Sequence, residues 1–357
     1  MKINKNFAER IKHIREAELP SRSQTRKVVF WEEDTRLLSE QGKALVFILP
    51  TRGCSWALSG SGGCSICGYI YDNPQQPDFA VILSSFQKIL RNKLNKEFTY
   101  SVKIFTSGSF LDTKEVPEEF QLKMLEELSQ YEVIREVVVE SRPEYVKDSL
   151  LKKMSTKIDI SILEIAIGLE SSCNSILMNS INKGFFWEDF EKATNTIKEN
   201  GARVKAYLLF KPPFVSEYDS MRDMLLSVTK IVSLGIDTIS INAMSIHRGT
   251  FLSQLFEKNE YRTPWLWSLL YLCREIKEQY PDLRLICDIV AGGNVRGAHN
   301  CGECDKDVIN VIKEFTMSQD IEILNKEISC TCKEEWKSNL IHEKISVSEP
   351  VIQRNVL

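Results

Sequence analysis

The chain is 357 residues long, and what it lacks removes several classes of function. No apolar run approaches the ~18 residues of a membrane span, so no membrane partner is expected. The start is polar rather than signal-like, which announces no export. A net charge of −3 supplies no global basic field for nucleic acid. No internal repeat or low-complexity segment is present, which excludes a solenoid. Histidine is scarce, at four residues, and His13 is the closest to the first cysteine-rich loop. Hydrophobic content of 43% with 27% charge provides an ordinary globular core. The length suits one α/β barrel of ~250 residues plus an appended piece. Ten cysteines without an export signal imply a reducing compartment and metal ligation rather than disulfides, hence a cytoplasmic metalloprotein.

Three of those cysteines, Cys54, Cys64 and Cys67, fall within a loop of Ser and Gly (Ser59-Gly-Ser-Gly-Gly63) that has no apolar face to bury. The uninterrupted apolar run Ala44–Leu49 just upstream predicts a strand buried on both faces. The thiols therefore sit where α/β proteins place their chemistry, at the carboxyl end of a strand. A structural zinc site closes with four ligands, whereas a [4Fe–4S] cluster held by three thiolates keeps one iron open for a small molecule. A zinc knuckle borrowing a distant ligand and plain buried cysteines are the alternatives.

Downstream, apolar runs at 101–106, 135–140, 163–168, 203–210 and 237–241 alternate with helical patterns, and 283–290 is a possible seventh strand. Such alternation makes right-handed βαβ units and a parallel sheet, best fitted by an open, partial (β/α)6 barrel. The expected organisation is a basic N-terminal helical extension over 1–40, the barrel over 41–290 and a small C-terminal cysteine-rich, metal-binding extension over 291–357. Residues 1–27 hold eight Lys/Arg against three Glu. That charge reads either as a solvated helix or as a phosphate-contacting arm using Lys2, Lys5, Arg10, Lys12 and Arg15.

Polar residues follow each strand. Small Ser107, Gly108 and Ser109 let backbone groups approach a zwitterion. Glu140 can accept ribose hydroxyls and Arg142 can pair with a carboxylate. Lys183, Lys211, Asn242, His247 and Arg248 are candidates for an anionic or amino-acid-bearing substrate. In the tail, Cys301-x-x-Cys304 and Cys330-x-Cys332 match a four-thiolate zinc site, with His299 as a possible substitute ligand and a second Fe–S cluster as the alternative. Cys173, Cys273 and Cys287 lie inside element patterns and read as small core residues.

The Cys54-x9-Cys64-x2-Cys67 loop resembles the signature of radical S-adenosylmethionine (SAM) enzymes, with a longer first gap than usual and Ser-Gly-Ser in place of the usual Gly-Gly-Glu. Glu140-Ser-Arg-Pro143 and Gly168-Leu-Glu170 resemble the branch that holds the Elongator catalytic subunit and coproporphyrinogen dehydrogenase. Together with Lys211-Pro-Pro-Phe214 and the segment Arg296–Cys304, they resemble the family of radical SAM (beta) subunits of archaeosine synthases. That resemblance implies a [4Fe–4S] cluster on Cys54, Cys64 and Cys67, and SAM against Ser107, Gly108, Ser109, Glu140, Arg142 and Glu170. It also implies an electron donor, tRNA as substrate and a transglycosylase-like alpha subunit as partner. The implied reaction is that of a lyase: a 5′-deoxyadenosyl radical takes hydrogen from a lysine adduct on a deazaguanine base in the tRNA D-arm. The adduct's C–N bond then breaks. A different Elongator-like or coproporphyrinogen-dehydrogenase-like enzyme and a non-enzymatic zinc-binding RNA protein are the other readings.

Overall fold

Strand-length apolar segments separated by amphipathic helices build a single sheet in which strand order follows chain order. The computed structural model describes residues 5–19 and 27–343. The strands are Val29–Arg36 (β1), Gln41–Ile48 (β2), Tyr100–Phe105 (β3), Ile134–Ser141 (β4), Leu163–Glu170 (β5), Arg203–Phe210 (β6), Thr238–Ala243 (β7) and Arg284–Asp288 (β8). From β2 to β8 all pairings are parallel, and β1 is antiparallel to β2. The helices are Lys5–Glu18 (α1), Phe79–Lys93 (α2), Glu118–Leu128 (α3), Asp148–Met154 (α4), Asn174–Ile176 (α5), Trp187–Glu199 (α6), Glu217–Ser233 (α7), Phe251–Glu257 (α8), Leu266–Gln279 (α9), Asp305–Ser318 (α10) and Cys332–His342 (α11). None is long and apolar enough to cross a membrane.

The two faces of the sheet differ in chemistry because side chains alternate along each strand. One face presents Leu45, Phe47, Val102, Ile104, Val137, Val139, Ile165, Val204 and Ile239, and the helices cover it in one continuous core. The other carries Ser101, Lys103, Glu136, Glu140, Glu164, Lys205, Tyr207, Thr238 and Arg284. Arg284 on β8 reaches Glu136 on β4 at 2.7 Å, although four strand spacings would separate them by ~19 Å in a flat sheet. The sheet is therefore curled toward its polar face into a half-barrel, as the alternation of elements anticipated.

One strand escaped the hydrophobic pattern. β1 was unread because it is an exposed edge strand carrying Glu32, Glu33 and Asp34, charges that discourage edge-to-edge pairing. The segment read as a possible seventh strand is β8, and its free edge is covered by the end of α10. There the Gln319 side chain accepts from Leu285 N–H and donates to Leu285 C=O, both at 2.9 Å.

Asp223 on α7 supports the turn after β5 by accepting from Ser171 Oγ at 2.9 Å. Burial pushes its carboxyl up to about 7 from an ordinary 3.8. A carboxyl raised in the folded state binds its proton more tightly than in the unfolded chain, so stability falls as pH rises across that interval. Asp223→Asn keeps the hydrogen-bond acceptor and removes the titration. By urea denaturation it should gain roughly 2–4 kcal/mol over the parent at pH 8 and little at pH 4.

Candidate active site

The loop after β2 is held from three sides, and each clamp comes from a distant part of the chain. From the N-terminal side, buried Arg15 on α1 donates through Nε to Gly62 C=O at 2.9 Å and through Nη2 to Cys67 C=O at 2.7 Å. Gly62 has φ +74°, and a Cβ there would meet Lys12 Cα at 2.5 Å, so helix and loop backbone touch directly. From the middle, Asn182 donates to Gly63 C=O at 2.7 Å, Trp56 Nε1 donates to Asn182 C=O at 2.9 Å, and Ser65 N–H donates to Ile181 C=O at 2.8 Å. From the far side of the barrel, His247 Nδ1 accepts from Gly68 N–H at 3.2 Å and its ring packs on Tyr69. Ile66, Cys64 and Cys67 rest on a second, smaller apolar cluster with Ile176, Leu209 and Met244. The loop buries Ile66, but its Ser59–Gly63 stretch has no apolar face and takes its shape from these clamps.

Arg15 is buried against this loop, out of reach of phosphate, so it drops out of any phosphate-contacting arm. Lys2 lies outside the described residues. Arg15→Ala strips the loop carbonyls of their charged donor. Such a loss costs ~1–3 kcal/mol locally, and the variant should release loop-bound metal several-fold faster on dilution. Its salt dependence of RNA binding should match the parent's.

Around the thiols lie the residues expected at the strand ends. A Cβ on Gly108 would meet Cys54 Cα at 2.5 Å, so only glycine lets β3's turn approach the loop. Ser109 N–H donates to Glu115 Oε2 at 2.8 Å, and Ser109 Oγ accepts from Arg142 N–H at 3.0 Å. Ser107 hydrogen bonds Asn73 Oδ1 and Tyr69 C=O. Arg142 is buried, donates to Lys183 C=O at 2.9 Å, pairs with Glu144, and lies over the rings of Trp56 and Phe185. Glu170, at φ +71°, pairs with Lys183 Nζ at 2.7 Å. Burial works to lower the Lys183 ammonium pKa, yet Glu170 and Cys64 outweigh it and the net shift is upward. Burial pushes the Cys54 thiol up to about 12 and the Cys67 thiol up as well. Buried thiols of this kind become stable thiolates only with a cation bound to them.

Sequence reasoning picked out Glu140 on the interior floor beneath the loop and missed the charged groups around it. Glu115 is fully buried, accepts from Thr51 Oγ1 at 2.7 Å, and is raised to about 7 by burial. Glu140 is likewise raised to about 7 by burial, with Tyr207 in contact. Lys205 is lowered to about 8 by burial, partly offset by Glu164. Lys103 reaches Glu33 and Thr35 on β1, both at 3.1 Å. The available signal was charges two or four positions apart in strands otherwise apolar (Arg203 and Lys205; Glu136 and Glu140), an even spacing that puts them on one face.

The substrate candidates divide. His247 is built into the loop's support, Lys183 is paired with Glu170, Asn242 faces the interior on β7, and Arg248 is exposed. Lys211 is elsewhere: buried, at φ +61°, it pairs with Glu217 and with Glu343 after α11, both at 2.9 Å. It lines a cavity of about 470 Å³ with Tyr261, Arg262 and His299. In the tail, the Sγ atoms of Cys301, Cys304, Cys330 and Cys332 all lie within 4.8 Å of one another.

No family model matches the chain. It is 38% identical to the archaeosine synthase subunit beta of Methanosarcina acetivorans over 87% of this chain and 89% of that protein. It is 35% identical to the archaeosine synthase subunit beta of Thermococcus kodakarensis over 87% of this chain and 95% of that protein. A solved structure of Methanocaldococcus infernus Elp3 covers 67% of this chain and 59% of that one, with 15% identity and a TM-score of 0.49. At that identity, sustained along nearly the whole length of both relatives, the chain belongs to the archaeosine synthase subunit beta family.

Proposed function

We propose that this chain is the radical SAM subunit of an archaeosine synthase, a lyase that cleaves the C–N bond of a lysine adduct on a deazaguanine base in the tRNA D-arm. The observation that carries the reading is three thiols clamped over the polar interior of a half-barrel, in a chain whose relatives bear that name. The donor set suits a [4Fe–4S] cluster: three half-buried cysteines on one loop, with no fourth cysteine in the loop. Cys54, Cys64 and Cys67 would hold it, and Ser107–Ser109, Glu140, Arg142 and Glu170 would hold SAM. When bound, that pair supplies the one-electron chemistry that delivers a hydrogen-abstracting species.

The chain's own residues supply position and shielding. Trp56, Arg142 and Phe185 form a wall beside the thiols that excludes water. Lys103 and Lys205 set cations on the interior face, which the carboxylate of a lysyl group requires. With a net charge of −3 the chain leaves most of the tRNA affinity to an alpha subunit. The deciding experiment is an anaerobic reaction with SAM, a low-potential reductant and lysine-adducted tRNA, read by mass spectrometry. The formamidine base of archaeosine should form together with 5′-deoxyadenosine. SAM turnover that ignores the adducted tRNA would count against the lyase assignment.

A further inference from the structure

The tail quartet sits apart from the cysteine loop, and its geometry distinguishes between metals that its sequence spacing leaves open. Cys301 Sγ and Cys330 Sγ are 3.6 Å apart, as are Cys304 Sγ and Cys332 Sγ, and all four atoms lie within 4.8 Å of one another. These are too far apart for disulfides, whose sulfurs stand ~2.05 Å apart. Four thiolates at ~2.3 Å from one tetrahedral ion have edges of ~3.8 Å. Thiolates on the separate irons of a cubane stand roughly 6 Å apart, with the inorganic core between them. The quartet has the size of one ion.

The surroundings are those of a thiolate centre. Trp267 Nε1–H on α9 donates to Cys332 Sγ at 3.2 Å, and Asn300 Nδ2–H donates to Cys304 Sγ at 3.3 Å. Asn300 is itself fixed, since its Oδ1 accepts from Trp267 N–H and its N–H donates to Asp305. Such outer donors orient the ligands and offset the negative charge that four thiolates leave on a divalent ion. Cys304 is the N-cap of α10 and Cys332 the first residue of α11, so the positive ends of two helix dipoles meet at the sulfurs.

We propose that Cys301, Cys304, Cys330 and Cys332 bind a single tetrahedral Zn²⁺ that takes no part in turnover and staples the tail onto α9. The closed ligand set leaves no position for substrate. The staple fixes the start of α11, with Trp336 bonded to Ser268 at 2.8 Å, and thereby carries Glu343 to Lys211. One wall of the 470 Å³ cavity, made by Asn339 and Glu343, accordingly depends on the ion.

This site does not rest on the lyase reading and can be tested apart from it. The full chain, purified anaerobically, is assayed for zinc, iron and labile sulfide beside two variants. In Cys54→Ala/Cys64→Ala/Cys67→Ala one zinc per chain should remain. In Cys301→Ser/Cys330→Ser zinc should be lost while iron and sulfide stay at the parent's level. Because the tail variant can fail to fold, the parent is also stripped with a chelator and reloaded with Co²⁺. Intense tetrahedral cobalt–thiolate absorption and recovery of the buried-tryptophan fluorescence are expected. Loss of iron and sulfide in a tail variant that keeps the parent's circular dichroism, or a parent that holds no zinc and gives no cobalt–thiolate bands, would overturn the proposal. A parent lacking iron but holding zinc would sink the radical SAM reading and leave this one standing.

Discussion

Alanine at Cys54, Cys64 or Cys67 should reduce SAM cleavage to background, a fall of ~10³-fold or more, with iron content falling alongside. The size of the effect follows from the ligand count. Three thiols are the whole donor set of the loop, so removing one leaves a centre that two sulfurs cannot hold. The loop itself should survive. Its shape comes from Arg15, Asn182, Ser65 and His247, none of which depends on a thiol, so the urea midpoint of the metal-free variants should stay close to that of the metal-free parent. Activity lost at unchanged stability identifies a ligand, whereas loss of both would indicate a packing role. Variants that still release 5′-deoxyadenosine at the parent's rate would refute the assignment.

The second large effect concerns the closed end of the half-barrel. Arg284 is buried, with Nη1 on Glu136 at 2.7 Å, Nη2 on Glu164 at 2.5 Å and Nε on Thr238 Oγ1 at 3.1 Å. Glu136 also accepts from Ser101 at 2.8 Å and faces Arg203 at 3.4 Å. Arg284→Met leaves two buried carboxylates without their main partner, and removing one member of such a group costs about 3–5 kcal/mol. Replacing Glu136, Glu164 and Arg284 together by apolar residues of similar volume should return most of that loss. Urea denaturation of the single and triple variants measures both. A single variant within 1 kcal/mol (roughly, the cost of an ordinary surface change) of the parent would contradict the argument.

The same cluster sets an acid limit. Burial alone would raise the Glu136 carboxyl, but Arg284 and Arg203 outweigh it and hold it below its ordinary 4.5. A depressed carboxylate contributes stability above its unfolded value and loses that contribution as pH falls through the folded one. The parent should therefore weaken below about pH 4.5, and Arg284→Met should show little of that acid-side loss.

The cysteine loop stands out because its signal is local: three thiols, their spacing and the glycines between them. So do β2 to β7, with β8 as a possible seventh, since a buried strand announces itself by apolar content within five to eight residues. β1 stayed hidden because an exposed edge strand satisfies its pattern with charge. The polar interior was hidden for another reason. Lys205, Glu136 and Arg284 each look like surface residues until curvature brings strands four places apart into contact.

Residue chemistry alone therefore singled out two candidate metal-binding segments, Cys54–Cys67 and Cys301–Cys332, because ligand type and spacing are written along the chain. Tertiary structure alone decided what holds those loops: α1's Arg15 on the first and α9's Trp267 on the second. It also separated Lys211 from the other candidate residues by pairing it with Glu343, 132 positions away. Contacts of such separation depend on how the sheet curls and where the tail docks. No window of the sequence contains both partners, so their meeting follows only from the fold.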